Sequence, residues 1–266
     1  MANQQSTTKQ ETTGSETLDN EIRTFEVNGL KVEARYSKKT VEQTLLPLLR
    51  EWTEMRKKKG SRLVIFLAAP PAVGKSTLVS FLSWLSRQDE SLTEVQGLGL
   101  DGFHYPQEFL NTHTIQVDGK TVSMASVKGH PDTFDAQGFL EKMQQIQQEG
   151  IRFPEYSRTL HNPQPEKIAV TGKIVLIEGN WLLRDEERWK QSLPFADQTL
   201  FIQADPKDLK ERLIQRKMQG GMDRKSAEAF YETSDGPNIT RVLEQSVPAD
   251  RTLIMDSEGG YVLRKD

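Results

Sequence analysis

The segment Leu67-Ala-Ala-Pro-Pro-Ala-Val-Gly-Lys-Ser-Thr77 constrains this chain more than any other. The apolar run Leu63–Ala68 leads into it, and Leu78, Phe81, Leu82 and Leu85 follow at helical spacing. A strand, a short loop, Gly-Lys-Ser-Thr and an amphipathic helix form the context in which a phosphate-binding P-loop, the Walker A motif, is built. Backbone N–H groups of the loop and of the helix N-terminus surround phosphate oxygens. The expected cradle comprises Ala69, Pro70, Pro71, Ala72, Val73, Gly74, Lys75, Ser76 and Thr77. Gly74 lets the backbone approach phosphate, Lys75 brings positive charge to the β- and γ-phosphates, and Ser76 offers a hydroxyl to Mg²⁺. The usual pattern opens with Gly where this chain has Ala69. If that position requires positive φ, Ala costs stability there.

Around this segment the chain alternates strands with helices. Val95–Leu100, Ile174–Ile177, Thr199–Ile202 and Leu253–Met255 read as strands. Phe139–Ile146, Pro206–Met218, Ser226–Tyr231 and Ile239–Leu243 read as helices. Gly97 and Gly99 weaken the strand signal of the first run. The alternation predicts an α/β fold with a mainly parallel sheet. Ahead of it, Phe25, Val27, Val32, Ala34 and Tyr36 alternate with polar residues around Asn28-Gly29, which favours a type I′ hairpin. A helix through Val41, Leu45, Leu48, Leu49 and Trp52 follows and ends in the basic run Arg56–Lys59. Val117-Asp-Gly-Lys120 suggests a second tight hairpin. The expected organisation is a disordered polar tail over 1–20, an N-terminal hairpin and helix over 21–60, and the nucleotide-binding domain over 61–266.

Composition narrows the function. Lys plus Arg is 35 against 38 Asp plus Glu, a formal charge of −3, so bulk charge favours neither nucleic acid nor an anionic membrane as partner. Cysteine is absent, which excludes thiolate metal sites, disulfides and a Cys nucleophile, and a reducing cytoplasm fits. The polar start lacks the apolar core of a secretory signal. The longest apolar run, Leu63–Val73, is too short to span a bilayer and is broken by Pro70 and Pro71. The expectation is therefore a cytoplasmic protein.

In open α/β sheets, ligands bind beyond the carboxyl ends of the strands. Asp101-Gly-Phe-His-Tyr-Pro106 follows one strand, Glu178-Gly-Asn-Trp181 another, and Asp205-Pro206 a third. Phosphoryl transfer needs one carboxylate to orient or deprotonate the accepting hydroxyl and another to help hold Mg²⁺. Asp101 is assigned as the base, and Glu178, with Ser76, as the metal-side carboxylate. Alone, each would read as a loop acid or a cap. Asp205 reads as a helix N-cap before Pro206.

The P-loop, the Asp-Gly-Phe-His-Tyr-Pro segment and the Ile-Glu-Gly-Asn-Trp segment resemble the phosphoribulokinase/uridine kinase superfamily of P-loop kinases over about residues 62–256. Lys128-Gly-His-Pro-Asp-Thr-Phe-Asp135 and Pro154-Glu-Tyr-Ser-Arg158 resemble bacterial type I pantothenate kinases, with Arg158 where those have His. The N-terminal hairpin and helix resemble a narrower bacterial branch carrying nucleoside- or sugar-kinase labels. The resemblance implies a three-layer α/β/α fold, ATP as donor, Mg²⁺ as cofactor, Asp101 as catalytic base and Lys75 at the phosphates. It also implies a basic lid, matched here by Arg212–Arg224. Arg216 and Arg224 would be its charge-stabilising arginines and Gly220-Gly221 its hinge; Arg212 and Arg216, one turn apart, could instead pair with acids.

The acceptor side offers His104, Tyr105, Lys128, Tyr156, Arg158 and His161 as candidates, of which Lys128 and Arg158 would suit an anionic group. The histidines show no metal-ligand spacing, and Trp84 and Trp181 read as core packing. Two functions remain. One is a kinase acting on a pantothenate-, nucleoside- or sugar-like hydroxyl. The other is a nucleotide-dependent regulator without a small-molecule acceptor. The hairpin and first helix could form a homodimer surface or cover the sheet.

Overall fold

The computed structural model describes residues 20–27 and 30–264. Most of the tail expected over 1–20 and the Asn28-Gly29 turn lie outside these residues.

Among the described residues, twelve strands form one large sheet and three hairpins. In chain order they are β1 Asn20–Val27, β2 Leu30–Ser37, β3 Leu63–Ala68, β4 Val95–Gly99, β5 Thr114–Val117 and β6 Lys120–Ser123. Then come β7 Arg152–Ser157, β8 Asn162–Ala169, β9 Ile174–Gly179, β10 Gln198–Gln203, β11 Arg251–Met255 and β12 Tyr261–Leu263. The large sheet has the order β12-β11-β10-β3-β9-β4. Every neighbouring pair is parallel except β11 with β12.

The central strands explain the layers. Every residue of β3 and β9 is buried, as a parallel strand covered on both faces must be. Side chains alternate, so Leu63, Ile65 and Leu67 enter one core, whereas Val64, Phe66 and Ala68 enter another. The first core takes Leu78, Phe81 and Leu82 from helix Lys75–Leu85. The second takes Phe139 and Met143 from helix Ala136–Gln144, and Trp181 with it. Two cores on opposite faces of one sheet give the three-layer α/β/α arrangement.

The described residues of 21–60 share the first core of the sheet. Helix Leu46–Lys59 sends Leu48, Leu49 and Trp52 into the first core beside Leu63 and Ile65. The Trp52 indole N–H donates to Gln198 Oε1 at 2.7 Å, tying this helix to β10. Strands β1 and β2 lie over helix Lys75–Leu85, with Tyr36 edge-on to Phe81 at 4.7 Å between ring centroids.

The smaller hairpins place loops near the sheet's carboxyl edge. Asp118 and Gly119 both take positive φ, at 50° and 76°, as the turn between β5 and β6 requires. The hairpin β7–β8 has no clear signal in the sequence. Pro154 sits where the register between Phe153 and Glu155 shifts, and Pro163 lies near the start of β8. Proline cannot donate to the ladder and is confined to such places. Gly97 has a packing reason: a Cβ there would collide with Val79 of helix Lys75–Leu85. The residue that weakens the strand signal of β4 is the one that lets the phosphate-loop helix approach it. Asp205 caps helix Pro206–Gln219, accepting from Lys207 N at 2.8 Å. Among the described residues no helix is long and apolar enough to cross a membrane.

Candidate functional site

Strand β3 ends at Ala68, and the loop 69–74 delivers the chain into helix Lys75–Leu85. Ala69 carries no such stability cost, because it is not among the residues at positive φ. The left-handed positions of the loop are Ala72, at 68°, and Gly74, at 90°. Ala72→Gly should therefore stabilise the protein by up to about 1 kcal/mol, since glycine takes that conformation without steric cost. Thermal unfolding should show a midpoint up to about 4 °C higher. Ala69→Gly removes a methyl from a fully buried, ordinary backbone position and should lower it. A reversed order would place the strained residue elsewhere.

Tyr261 of β12 buttresses the loop. Its hydroxyl donates to Val73 O at 2.6 Å, and burial pushes its pKa up to about 12. Sequence spacing carries no hint of this contact, which joins residues far apart in the chain.

Register brings the charged groups together. Glu178 lies opposite Leu67 of β3 on one side and Gly99 of β4 on the other. The three strands therefore end side by side, at Glu178, at the phosphate loop and at the turn carrying Asp101. The Ser76 hydroxyl donates to Glu178 Oε1 at 2.6 Å. Lys75 Nζ donates to Asn180 Oδ1 at 2.6 Å and to Pro70 O at 3.1 Å. Burial raises the Glu178 pKa, with Lys75 pulling it down. Enclosure by protein lowers the Lys75 pKa, with Glu178 and then Asp101 opposing. A buried carboxylate beside a hydroxyl is a pair of hard oxygen donors, and this suits Mg²⁺.

Lys75, Ser76, Asp101, Glu178, Asn180 and three arginines line one cavity of about 330 Å³ beside the phosphate loop. The arginines are Arg158, from the β7–β8 turn, and Arg212 and Arg216, from helix Pro206–Gln219. No carboxylate among the described residues lies within ion-pair distance of any of the three. Arg216 keeps surface open to solvent at the cavity, yet the protein packed around it lowers its pKa and Arg158 adds to the effect. Lys75 and three arginines against Asp101 and Glu178 leave the cavity an excess of positive charge, which suits a polyanion.

The fold does not bring Arg224 to the other arginines. Arg224 does not line this cavity, and it pairs with Glu228 at 2.8 Å and Glu211 at 3.3 Å on an exposed face. Asp223 caps the short helix Arg224–Phe230, and the one-turn spacing to Glu228 holds the guanidinium along that helix. The glycines expected as a hinge end the preceding helix: Gly221 is left-handed at 95°, and Met222 N donates to Lys217 O. Arg212 and Asn180 belong to the cavity although neither stood among the candidates. The Ile-Glu-Gly-Asn-Trp segment and the basic helix carried the signal for both.

Asp101 sits in a 3-10 turn, Leu100–Phe103, and is half-buried. It also lines a second cavity, of about 360 Å³, between β1, helix Lys75–Leu85 and β7. Tyr156 lines this second cavity. The His104 ring lies on Phe134 at 3.8 Å and 5.3 Å from Tyr156. Its Nδ1 meets Asp101 O at 2.9 Å, which assigns the ring N–H to Nδ1, and burial lowers its pKa. Lys128 Nζ stands 5.0 Å over the Tyr156 ring and donates to Gln107 Oε1 and His161 O, at 2.8 and 3.2 Å. His161 thus meets its neighbour through its carbonyl, at positive φ. Tyr105 stacks on Phe109 and lines neither cavity. Trp181 is fully buried and donates to Gly129 O.

No family model matches the chain. It is 40% identical over 236 residues to the Escherichia coli protein described as "Uncharacterized protein YggC", covering 88% of this chain and 96% of that one. It is 28% identical over 205 residues to "Putative uridine kinase C227.14" of Schizosaccharomyces pombe, covering 74% of this chain and 84% of that one. The crystal structure of a "putative fructose transport system kinase" from Silicibacter sp. TM1040 superposes with a TM-score of 0.69 at 26% identity, covering 79% of this chain and 98% of that one.

Proposed function

This chain belongs to the phosphoribulokinase/uridine kinase superfamily of P-loop kinases, in one family with YggC, and on that premise we propose that it transfers the γ-phosphate of Mg·ATP to a hydroxyl of a small metabolite. Family membership supports an ATP-dependent kinase in general; the acceptor is the finer reading. The observation that carries it is the position of Asp101 on a wall common to both cavities, one lined by the phosphate loop and one beyond it.

In this reading Asp101 accepts the acceptor's hydroxyl proton while the acceptor oxygen forms a bond to the γ-phosphorus. The bond from that phosphorus to the β–γ bridging oxygen breaks, and ADP departs with the electron pair. Lys75 and the loop N–H groups hold the phosphates. Ser76 and Glu178 would hold Mg²⁺, which when bound neutralises phosphate charge. Arg216, with Arg158 and Arg212 beside it, meets charge on the transferring group.

The test is ADP release from Mg·ATP by purified protein against pantothenate, nucleosides, sugars and sugar phosphates. The expected result is acceptor-dependent release that falls by about 10²–10³-fold in Lys75→Ala, the scale for losing one charge-stabilising donor. Slow release indifferent to every acceptor would favour the nucleotide-dependent regulator instead.

A further inference from the structure

The N-terminal hairpin reaches the chemistry. Phe25, Glu26 and Val27, at the end of β1, line the second cavity together with Glu155 and Tyr156 of β7. Val27 and Val32 also edge the phosphate-loop cavity. The wall is anchored to the helix that begins with Lys75 and Ser76. Phe25 stands edge-on to Phe81 of that helix at 6.4 Å, and Tyr36 of β2 packs on the same ring.

The charge around the second cavity decides what it can take. Among the described residues, Glu26, Asp101, Glu155 and Glu178 border it, against one cation, Arg87. Arg87 lies beyond the far end of helix Lys75–Leu85 and is already paired with Glu94 at 2.9 Å. The cations expected to receive an anion do not line this cavity. Arg158 lines the phosphate-loop cavity, and Lys128 is held by Gln107 and the His161 carbonyl. A carboxylate or phosphate placed among these acids would meet like charge at close range in partly buried surroundings. Neutral donors face no such penalty. They find carboxylate acceptors and the hydroxyls of Ser80, Ser83 and Tyr156 along the wall.

We propose that β1 is a working wall of the acceptor site, and that the site takes a small, uncharged, hydroxyl-rich molecule of monosaccharide-to-nucleoside size. This rests on the kinase reading above and names its substrate class. The volume suits one sugar ring or nucleoside.

The experiment measures kcat/KM for fructose, ribose, uridine and cytidine against pantothenate and fructose 6-phosphate, using ADP release. At least one uncharged acceptor should exceed both anions by about tenfold or more. Glu26→Lys should narrow that preference at least about threefold, and Phe25→Ala should raise the acceptor KM about fivefold, with the KM for ATP nearly unchanged. Phe25→Leu, which keeps an apolar side chain on Phe81, should recover most of the loss. Turnover of an anion equal to that of the best uncharged acceptor overturns the substrate class and leaves the kinase reading standing. An acceptor KM that moves in neither the Glu26 nor the Phe25 variant overturns the role of β1. Absence of acceptor-dependent ADP release across the panel overturns the kinase reading, and this inference with it.

Discussion

Asp101→Asn should lower acceptor phosphorylation by about 10²–10⁴-fold, the range for a positioned general base, while Mg·ATP affinity changes little. The substitution is nearly isosteric, and the turn that holds position 101 depends on its backbone. His104 N and the His104 ring both meet Asp101 O, at 3.2 and 2.9 Å. A Cβ on Gly102 would collide with the backbone of Pro154, so β7 clamps the turn from outside. Asparagine keeps this arrangement and an amide oxygen in place of one carboxylate oxygen, but it takes up no proton near neutral pH. Steady-state kcat with the acceptor and nucleotide titration separate the two effects. Retained turnover would remove Asp101 from the role of base. Weakened nucleotide binding with proportionate loss of turnover would assign its charge to the phosphate side, where it already acts on Lys75.

How much of this was legible in the sequence depends on how local each cause is. Strands β3 and β9 are read at once, because burial on both faces demands an unbroken apolar run. The phosphate loop, Asp101 and Glu178 follow from the same logic, since residues just beyond parallel strand ends must gather at one edge. The strained loop position is not legible: Ala69 departs from the usual pattern, yet Ala72 carries the positive φ. Nor can the sequence separate Arg216 from Arg224. Both are arginines of one basic stretch, and only the fold sets one in the cavity and the other beside Glu211 and Glu228. Hairpin β7–β8 was hidden by its prolines. The contacts of Tyr261 with the loop and of β1 with the second cavity join residues far apart in the chain, and no periodicity reports such pairs.

Arg216→Ala should reduce kcat by about 10³-fold or more, toward the range for an arginine that neutralises a transferring phosphoryl group. The electrostatics give the sign. Arg216, Arg158 and Arg212 face the phosphate loop with no carboxylate among the described residues in ion-pair reach. Arg216 also has its pKa lowered by the surrounding protein and by Arg158. Without nucleotide, burial and Arg158 act against the charged Arg216, with Asp235 and Asp101 opposing them, so removing Arg216 should leave the melting temperature of the free protein unchanged or higher. With nucleotide its charge is matched, and the same substitution should shrink the stabilisation by Mg·ATP, which for wild type is about 2.7 kcal/mol at a hundred times the dissociation constant. Arg216→Lys should recover only part of kcat, because an ammonium keeps the charge and loses the planar fork that grips phosphate oxygens. Arg224→Ala is the contrast, as it removes exposed ion pairs outside the cavity and should leave kcat within about threefold of wild type. Equal losses in Arg216→Ala and Arg224→Ala would mean that the helix Pro206–Gln219 and its successor move together onto the nucleotide, and the charge assignment made from this arrangement would fall. Loss confined to Arg216, with the free protein no less stable, would tie rate and electrostatic crowding to one side chain, since a purely structural residue would lower both.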